Sequence, residues 1–185
     1  STPQLGVNAG LQLLDFLGQK YDFEELKQLA YAYKDPSGKN MDEKYSTKEL
    51  HETTYNVGLI NYDNMKFEMV VNFRYPENVQ VHPLITRIDS KTPFKSEIIG
   101  EPSAPLLFDP ECKMVKALEE VYIKETGDTV NKKMTIGGGT YAKEAKNTVA
   151  FGSHFPGKED HIHEANEKID LEDFYNSMSL YAHAI

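Results

Sequence analysis

Three groups of residues have the types and spacing to do chemistry. His161 and His163 stand two apart in the polar run FGSHFPGKEDHIHEANE, residues 151–167, which also holds Glu159, Asp160, Glu164 and Glu167. Neutral imidazole is a common ligand for zinc-type ions, and a two-residue step puts both rings on one side of an extended segment. Glu164 and Glu167 could ligate as well, or could orient a histidine as hydrogen-bond partners behind it. The same run could equally be a plain polar loop, because metal sites need three or four protein ligands and the chain has no HExxH and no cysteine pair. The second group, Gly137-Gly138-Gly139-Thr140, lets the backbone come close to a ligand and offers N–H groups and a hydroxyl to an anion; a flexible turn is the bland alternative. Neither a P-loop lysine nor GxGxxG spacing accompanies it, so nucleotide binding is not indicated.

The third group is a single residue, Arg74. Residues 66–75 alternate, with Phe67, Met69, Val71 and Phe73 on one face and Lys66, Glu68, Asn72 and Arg74 on the other. Arg74 is therefore either a solvated arginine on an exposed sheet face or a guanidinium whose planar fork grips a carboxylate. Serine hydrolysis has no signal, since no GxSxG elbow exists. Cys112, the lone cysteine, lacks neighbours suited to lowering a thiol pKa.

These residues need elements to hold them. Helical periodicity runs through Leu11, Leu13, Leu14 and Leu17 and stops at Gly18; Asp22 and Glu25 have capping-box spacing ahead of a second helix through Leu26, Ala30 and Tyr33. Residues 34–47 read as a polar excursion without a site. Residues 51–62 and 66–75 read as a hairpin turned at Asp63-Asn64, followed by a short helix from Pro83 and a strand over 95–99. Residues 100–105, GEPSAP, are the best linker in the chain. Beyond it Asp109 and Pro110 predict the start of a helix with Met114, Val115, Leu118, Val121 and Tyr122 on its buried face. Short strands are expected at 133–136 and 148–151, and Asp170 should cap a last helix carrying Leu171, Phe174, Tyr175, Met178, Tyr181, Ala182 and Ile185. The expected fold is α+β in two lobes: an antiparallel sheet with helices, then a small α/β layer.

Composition bounds the partners. The chain has 185 residues, 39% of them hydrophobic, and a net charge of −9 with its 20 basic residues scattered, which argues against a nucleic-acid surface. No apolar run approaches the roughly 20 residues of a membrane span, and with one cysteine and no basic-then-apolar leader a cytoplasmic location is expected. The start at Ser1-Thr2-Pro3-Gln4 and the end on a helix at Ile185 suggest a fragment of a longer protein.

In order along the chain, NFRYP (72–76), GGGTYAK (137–143), NTVAFGSHFPGKED (147–160), HEANE (163–167) and the closing LYAHAI resemble the C-terminal part of bacterial dipeptidases related to PepV, in the M20 group of di-metal peptidases. The opening STPQLGVNAG resembles the family segment just after a histidine of the lid domain. The resemblance implies that residues 1–104 are the later part of the lid and 105–185 the C-terminal part of the catalytic domain. It implies that His163 is the last metal ligand, that Arg74 grips the free carboxylate of a dipeptide, and that Gly139 and Thr140 line the substrate pocket. His161 matches no ligand and is set aside as loop or ligand support. The implied cofactor is a pair of Zn²⁺ ions, or Mn²⁺ or Co²⁺, in the intact protein.

Departures from the pattern matter as much. The His-x-Asp motif, the bridging aspartate and the Glu-Glu pair with its general base in the family's motif context, and the lid histidine, are not in this sequence; Glu24-Glu25 and Glu119-Glu120 stand in helical patterns instead. The missing N-terminal portion of the same protein would have to supply them, and closure between the lobes would be needed to act on one dipeptide. The 185 residues alone are expected to be inactive. The alternatives are a metal-free peptide- or carboxylate-binding fragment, and a carboxypeptidase or deacylase of the same group.

Overall fold

The computed structural model of the chain describes residues 3–136, 138–152, 154–158, 162–163 and 165–185. The fold is α+β, with five α-helices and one two-stranded antiparallel sheet among the described residues. Its residues fall into two compact units, 1–107 with 136–138, and 108–135 with 139–185.

The first unit is built on helices α1 (Ala9–Tyr21), α2 (Glu24–Lys34) and α3 (Val81–Lys91) and strands β1 (Thr54–Asp63) and β2 (Lys66–Arg74). Asn8 caps α1: its Oδ1 accepts from the Leu11 N–H at 3.1 Å, and its Nδ2 donates to the Val57 carbonyl at 2.8 Å, tying the helix start to β1. The helix runs past Gly18, where the sequence suggested an end. A Cβ there would lie 2.9 Å from Lys27 Cγ and 3.0 Å from the Lys27 nitrogen, so glycine permits the close approach of α2. Asp22 does not cap α2 as its spacing with Glu25 suggested. It sits in the left-handed region at φ 56°, closing α1, and its carboxylate pairs with Lys27 at 2.7 Å, while extended Phe23 takes the N-cap position.

The core of this unit gathers Leu14, Leu29, Tyr33, Met41, Tyr55, Val57, Leu84 and Ile88. Phe67, Met69, Val71 and Phe73 pack against it from β2, as their alternation predicts. The hairpin turns at Asn64 and Met65, both at positive φ, which matches the twist of the strands. Gly58 is the extra residue of a bulge, so the pairing steps from Leu59↔Val70 to Val57↔Val71. The helix α3 starts at Val81, ahead of the expected Pro83, which still lies in the first turn, where its missing N–H costs no hydrogen bond. The strand expected at 95–99 does not form: Asp89 takes the Ser96 N–H at 2.9 Å, and Phe94 stacks on Phe67 at 5.1 Å.

The polar excursion at 34–47 is structural. Glu43 is 1% exposed and its carboxylate accepts from Arg87 Nε at 3.0 and 3.1 Å, Lys91 Nζ at 2.8 Å and the Tyr45 hydroxyl at 2.6 Å. Burial alone would raise its pKa, but the hydrogen bonds from Lys91, Tyr45 and Arg87 outweigh it and hold the carboxyl below its ordinary value. A group with a depressed folded pKa contributes stability above its unfolded pKa, and that contribution is lost as pH falls through the folded value. Glu43→Gln should therefore cost about 2 kcal/mol near neutral pH, less than for a fully buried pair because Arg87 and Lys91 are partly solvated. Denaturant melts should show the gap between variant and parent closing below about pH 4; a gap that stays constant from pH 7 to pH 3 would show that the ionised form is not what matters.

The second unit contains α4 (Lys113–Thr126) and α5 (Leu171–Ala184) with a 3₁₀ turn at Tyr141–Glu144. Asp109 organises the turn before α4, accepting from the Glu111 N–H at 2.8 Å, and the helix begins three residues beyond Pro110. Asp128, after the Gly127 cap, accepts from the Asn131 and Val130 N–H groups at 3.0 Å and from the Asn131 side chain at 2.8 Å, which holds its carboxyl at about 2. No strand occurs beyond β2 among the described residues, so the expected strands at 133–136 and 148–151 are not observed. A strand needs a ladder partner. Lys133 instead reaches Glu119 at 2.7 Å, and the Phe151 carbonyl accepts from the Tyr181 hydroxyl at 3.0 Å. The apolar face of α4 is half-buried; on α5, Leu180 is buried, whereas Leu171, Tyr175 and Met178 are exposed.

Candidate active site

Arg74 is the last residue of β2, paired with Thr54 across the sheet and half-buried. What fixes its backbone is the aromatic stack beneath: Phe73 lies 6.0 Å from Tyr55 and 5.3 Å from Tyr75, and the Tyr75 hydroxyl donates to the Ser103 carbonyl at 3.0 Å. Buried Pro76 then ends the strand. Among the described residues the Arg74 guanidinium makes no hydrogen bond and no ion pair. The chain's other arginine, Arg87, is committed to Glu43. Arg74 therefore projects from an open sheet face with all five donors available.

The described residues of the 151–167 run are anchored to α5. Phe151 packs edge-on against Tyr181 at 6.1 Å, and Lys158 pairs with Asp173 at 3.3 Å. Asp170 caps α5, accepting from the Glu172 N–H at 2.8 Å, as its position predicted. His163 is exposed and sits in the left-handed region at φ 66°, with its N–H directed to Glu167 Oε2 at 3.4 Å. A histidine tolerates that conformation better than most residues, but it remains a small backbone cost of the kind found at functional sites. Glu167 thus supports the His163 backbone. His161, Glu164, Glu159 and Asp160 lie outside the described residues.

Gly139 and Thr140 are placed without crowding. A Cβ on Gly139 would meet nothing within 4 Å among the described residues, so none of them demands glycine there. Thr140 is half-buried and precedes the 3₁₀ turn, its carbonyl accepting from the Lys143 N–H at 3.2 Å. Gly137 lies outside the described residues. Among the described residues no three of His, Cys, Asp and Glu come together in a group that could hold a metal ion. The residues described here do not form a di-metal centre, and His163 can be one ligand of such a centre only if others complete it.

Residues 9–185 match the family model described as Peptidase family M20/M25/M40, and the chain belongs to that family. It is 36% identical over 198 residues to a "Putative dipeptidase" of Staphylococcus epidermidis (strain ATCC 12228). It is 34% identical over 192 residues to a protein of the same description from Staphylococcus haemolyticus (strain JCSC1435), and 33% identical over 191 residues to one from Staphylococcus aureus (strain MRSA252). Each alignment covers 99% of this chain and 40% of the relative, so the chain spans about 40% of the length of the curated relatives it matches. No helix among the described residues is long and apolar enough to cross a membrane.

Proposed function

We propose that the chain is the C-terminal portion of a cytoplasmic M20 dipeptidase, with residues 1–104 as the later part of its lid and 105–185 as the end of its catalytic domain. The observation that carries this reading is Arg74: in a chain of a peptidase family, a half-buried guanidinium on an open sheet face, without a partner among the described residues, fits the free carboxylate of a short peptide. Arg74 fixes the C-terminal end of the dipeptide. Gly139 offers an approachable backbone and Thr140 a hydroxyl to the substrate. Hydrolysis depends on two divalent ions, Zn²⁺ or else Mn²⁺ or Co²⁺, which supply the activated water when bound. His163 contributes one ligand, and the N-terminal portion of the same protein contributes the rest and the general base. The limited overlap with the relatives supports a larger working protein, as do the exposed apolar residues of α5.

The test is to assay the intact protein on a panel of dipeptides before and after chelation with EDTA. Loss of turnover on chelation, and its return with one of the three metals, is the expected result. Chelation-insensitive peptide binding without turnover would favour a metal-free binding module, and preference for longer peptides or acyl amino acids would favour a carboxypeptidase or deacylase.

A further inference from the structure

The two edges of the hairpin are unlike. On the far edge of β1 the backbone is occupied: the Tyr55 N–H donates to the Pro36 carbonyl at 2.7 Å, and the Val57 carbonyl accepts from Asn8 Nδ2 at 2.8 Å. Those bonds fix the phase of the ladder. Opposed residues of an antiparallel pair either exchange both hydrogen bonds or turn both sets of groups outward. Tyr55 and Val57 turn theirs outward, so Phe73 and Val71 opposite them do the same on the far edge of β2. The two-residue turn gives the same phase from the other end: Asp63 and Lys66 close it, which turns Phe67 and then Met69 outward. Among the described residues nothing bonds to the backbone of these four on that edge.

Edges of this length are normally guarded by a proline, a bulge, an inward charge or pairing with a covering segment. The nine residues of β2 have none of these, since the bulge is on β1. The core is open on the same side. Tyr55 and Val57 are 3% and 7% exposed, whereas Phe67, Met69, Val71 and Phe73 are all only half-buried. Residues 94–103 flank this edge: Phe94 stacks on Phe67 at 5.1 Å at one end of β2, and the Tyr75 hydroxyl donates to the Ser103 carbonyl at 3.0 Å beyond the other. The segment thus runs in the same direction as β2, yet makes no backbone hydrogen bond to it. Residues 95–99 have strand-like composition and stay irregular there. A strand lying between the two would meet ladder groups on both sides and cover the half-buried row of β2.

We propose that the far edge of β2 receives an extended segment with apolar residues at every second position, supplied by the N-terminal portion of the same protein, and that residues 95–99 pair as a strand on its other side. This rests on the reading of the chain as the C-terminal portion of a longer protein; the chain spans about 40% of its relatives' length, which leaves ample sequence to supply a strand. The experiment follows amide hydrogen exchange, resolved to single residues, in the intact protein. Glu68, Val70 and Asn72, whose amides face β1, are the internal standard. The amides of Met69, Val71 and Phe73 should exchange within about tenfold of them at any protein concentration. Exchange roughly a hundredfold or more faster than the standard overturns the proposal. Protection lost on dilution overturns it too, because that assigns the edge to a second copy. Alternate amides over 95–99 should be protected as well, and free exchange there removes the second half of the proposal. Val71→Pro deletes an outward N–H, with Val71→Ala as the side-chain control. An unpaired edge tolerates proline, so the proline variant should melt about 5 °C or more below the alanine variant, and equal melting overturns the proposal. Should the proline variant fail to fold, exchange in the parent decides alone. The dipeptide assay with chelation reads the functional assignment separately: an inactive protein with protected edge amides loses that assignment and keeps this one, and an active protein with freely exchanging edge amides does the reverse.

Discussion

Arg74→Ala should lower kcat/KM of the intact protein for dipeptides by roughly a hundredfold and leave the melting temperature in place. The size follows from removing a forked, charge-assisted contact at a half-exposed site, which is worth a few kcal/mol when a ligand covers it. The unchanged stability follows from the guanidinium having no hydrogen bond or ion pair among the described residues. Arg74→Lys should recover only part of the loss, since a point charge cannot reproduce two parallel N–H donors. The decisive control is the dipeptide amide. The parent protein should itself use the amide roughly a hundredfold less well, and Arg74→Ala should add little to that deficit, because substrate and variant each remove one half of the same pair. Additive losses would show that Arg74 acts elsewhere than on the carboxylate.

Arg74 was legible because a strand with one buried face announces its orientation: every second residue from Phe67 to Phe73 is apolar, and Arg74 falls on the other set. The partner strand was not legible to the same depth. The lone Gly58 within residues 54–63 is the one local sign of a bulge, but composition does not fix where the extra residue falls, and that residue decides whether Asn56 faces the core or the outer face with Arg74. Glu43 was missed for a different reason. Its partners Arg87 and Lys91 are 44 and 48 positions away, and a polar loop gives no local sign that its acid will be buried under them. The stretches 133–136 and 148–151 have strand-like composition, but composition reports suitability for a ladder and does not provide the second strand. Asp22 shows the same limit at small scale, where the left-handed closure of α1 outcompetes a capping-box spacing. His163 could be singled out by residue type and by resemblance. Its positive φ and the Glu167 contact are properties of the folded loop alone.

That backbone sharpens the second large prediction. In the intact protein, replacing His163 should lower dipeptide turnover by about a thousandfold, because losing a ligand forfeits several kcal/mol of charge stabilisation, and dialysed protein should retain less metal. The choice of substitution separates the imidazole from the loop. Asparagine tolerates the left-handed region, so His163→Asn keeps the φ 66° backbone while removing the ring; His163→Ala removes the ring and adds strain. If the ring is a ligand, both variants should lose metal and activity alike. If the residue matters only by shaping the turn held by Glu167, asparagine should restore what alanine loses. Because His163 is exposed, neither change should lower the melting temperature of metal-free protein by much, and metal content read by mass spectrometry can be interpreted without a folding defect. Parent-level metal content in His163→Asn would remove His163 from the ligand set.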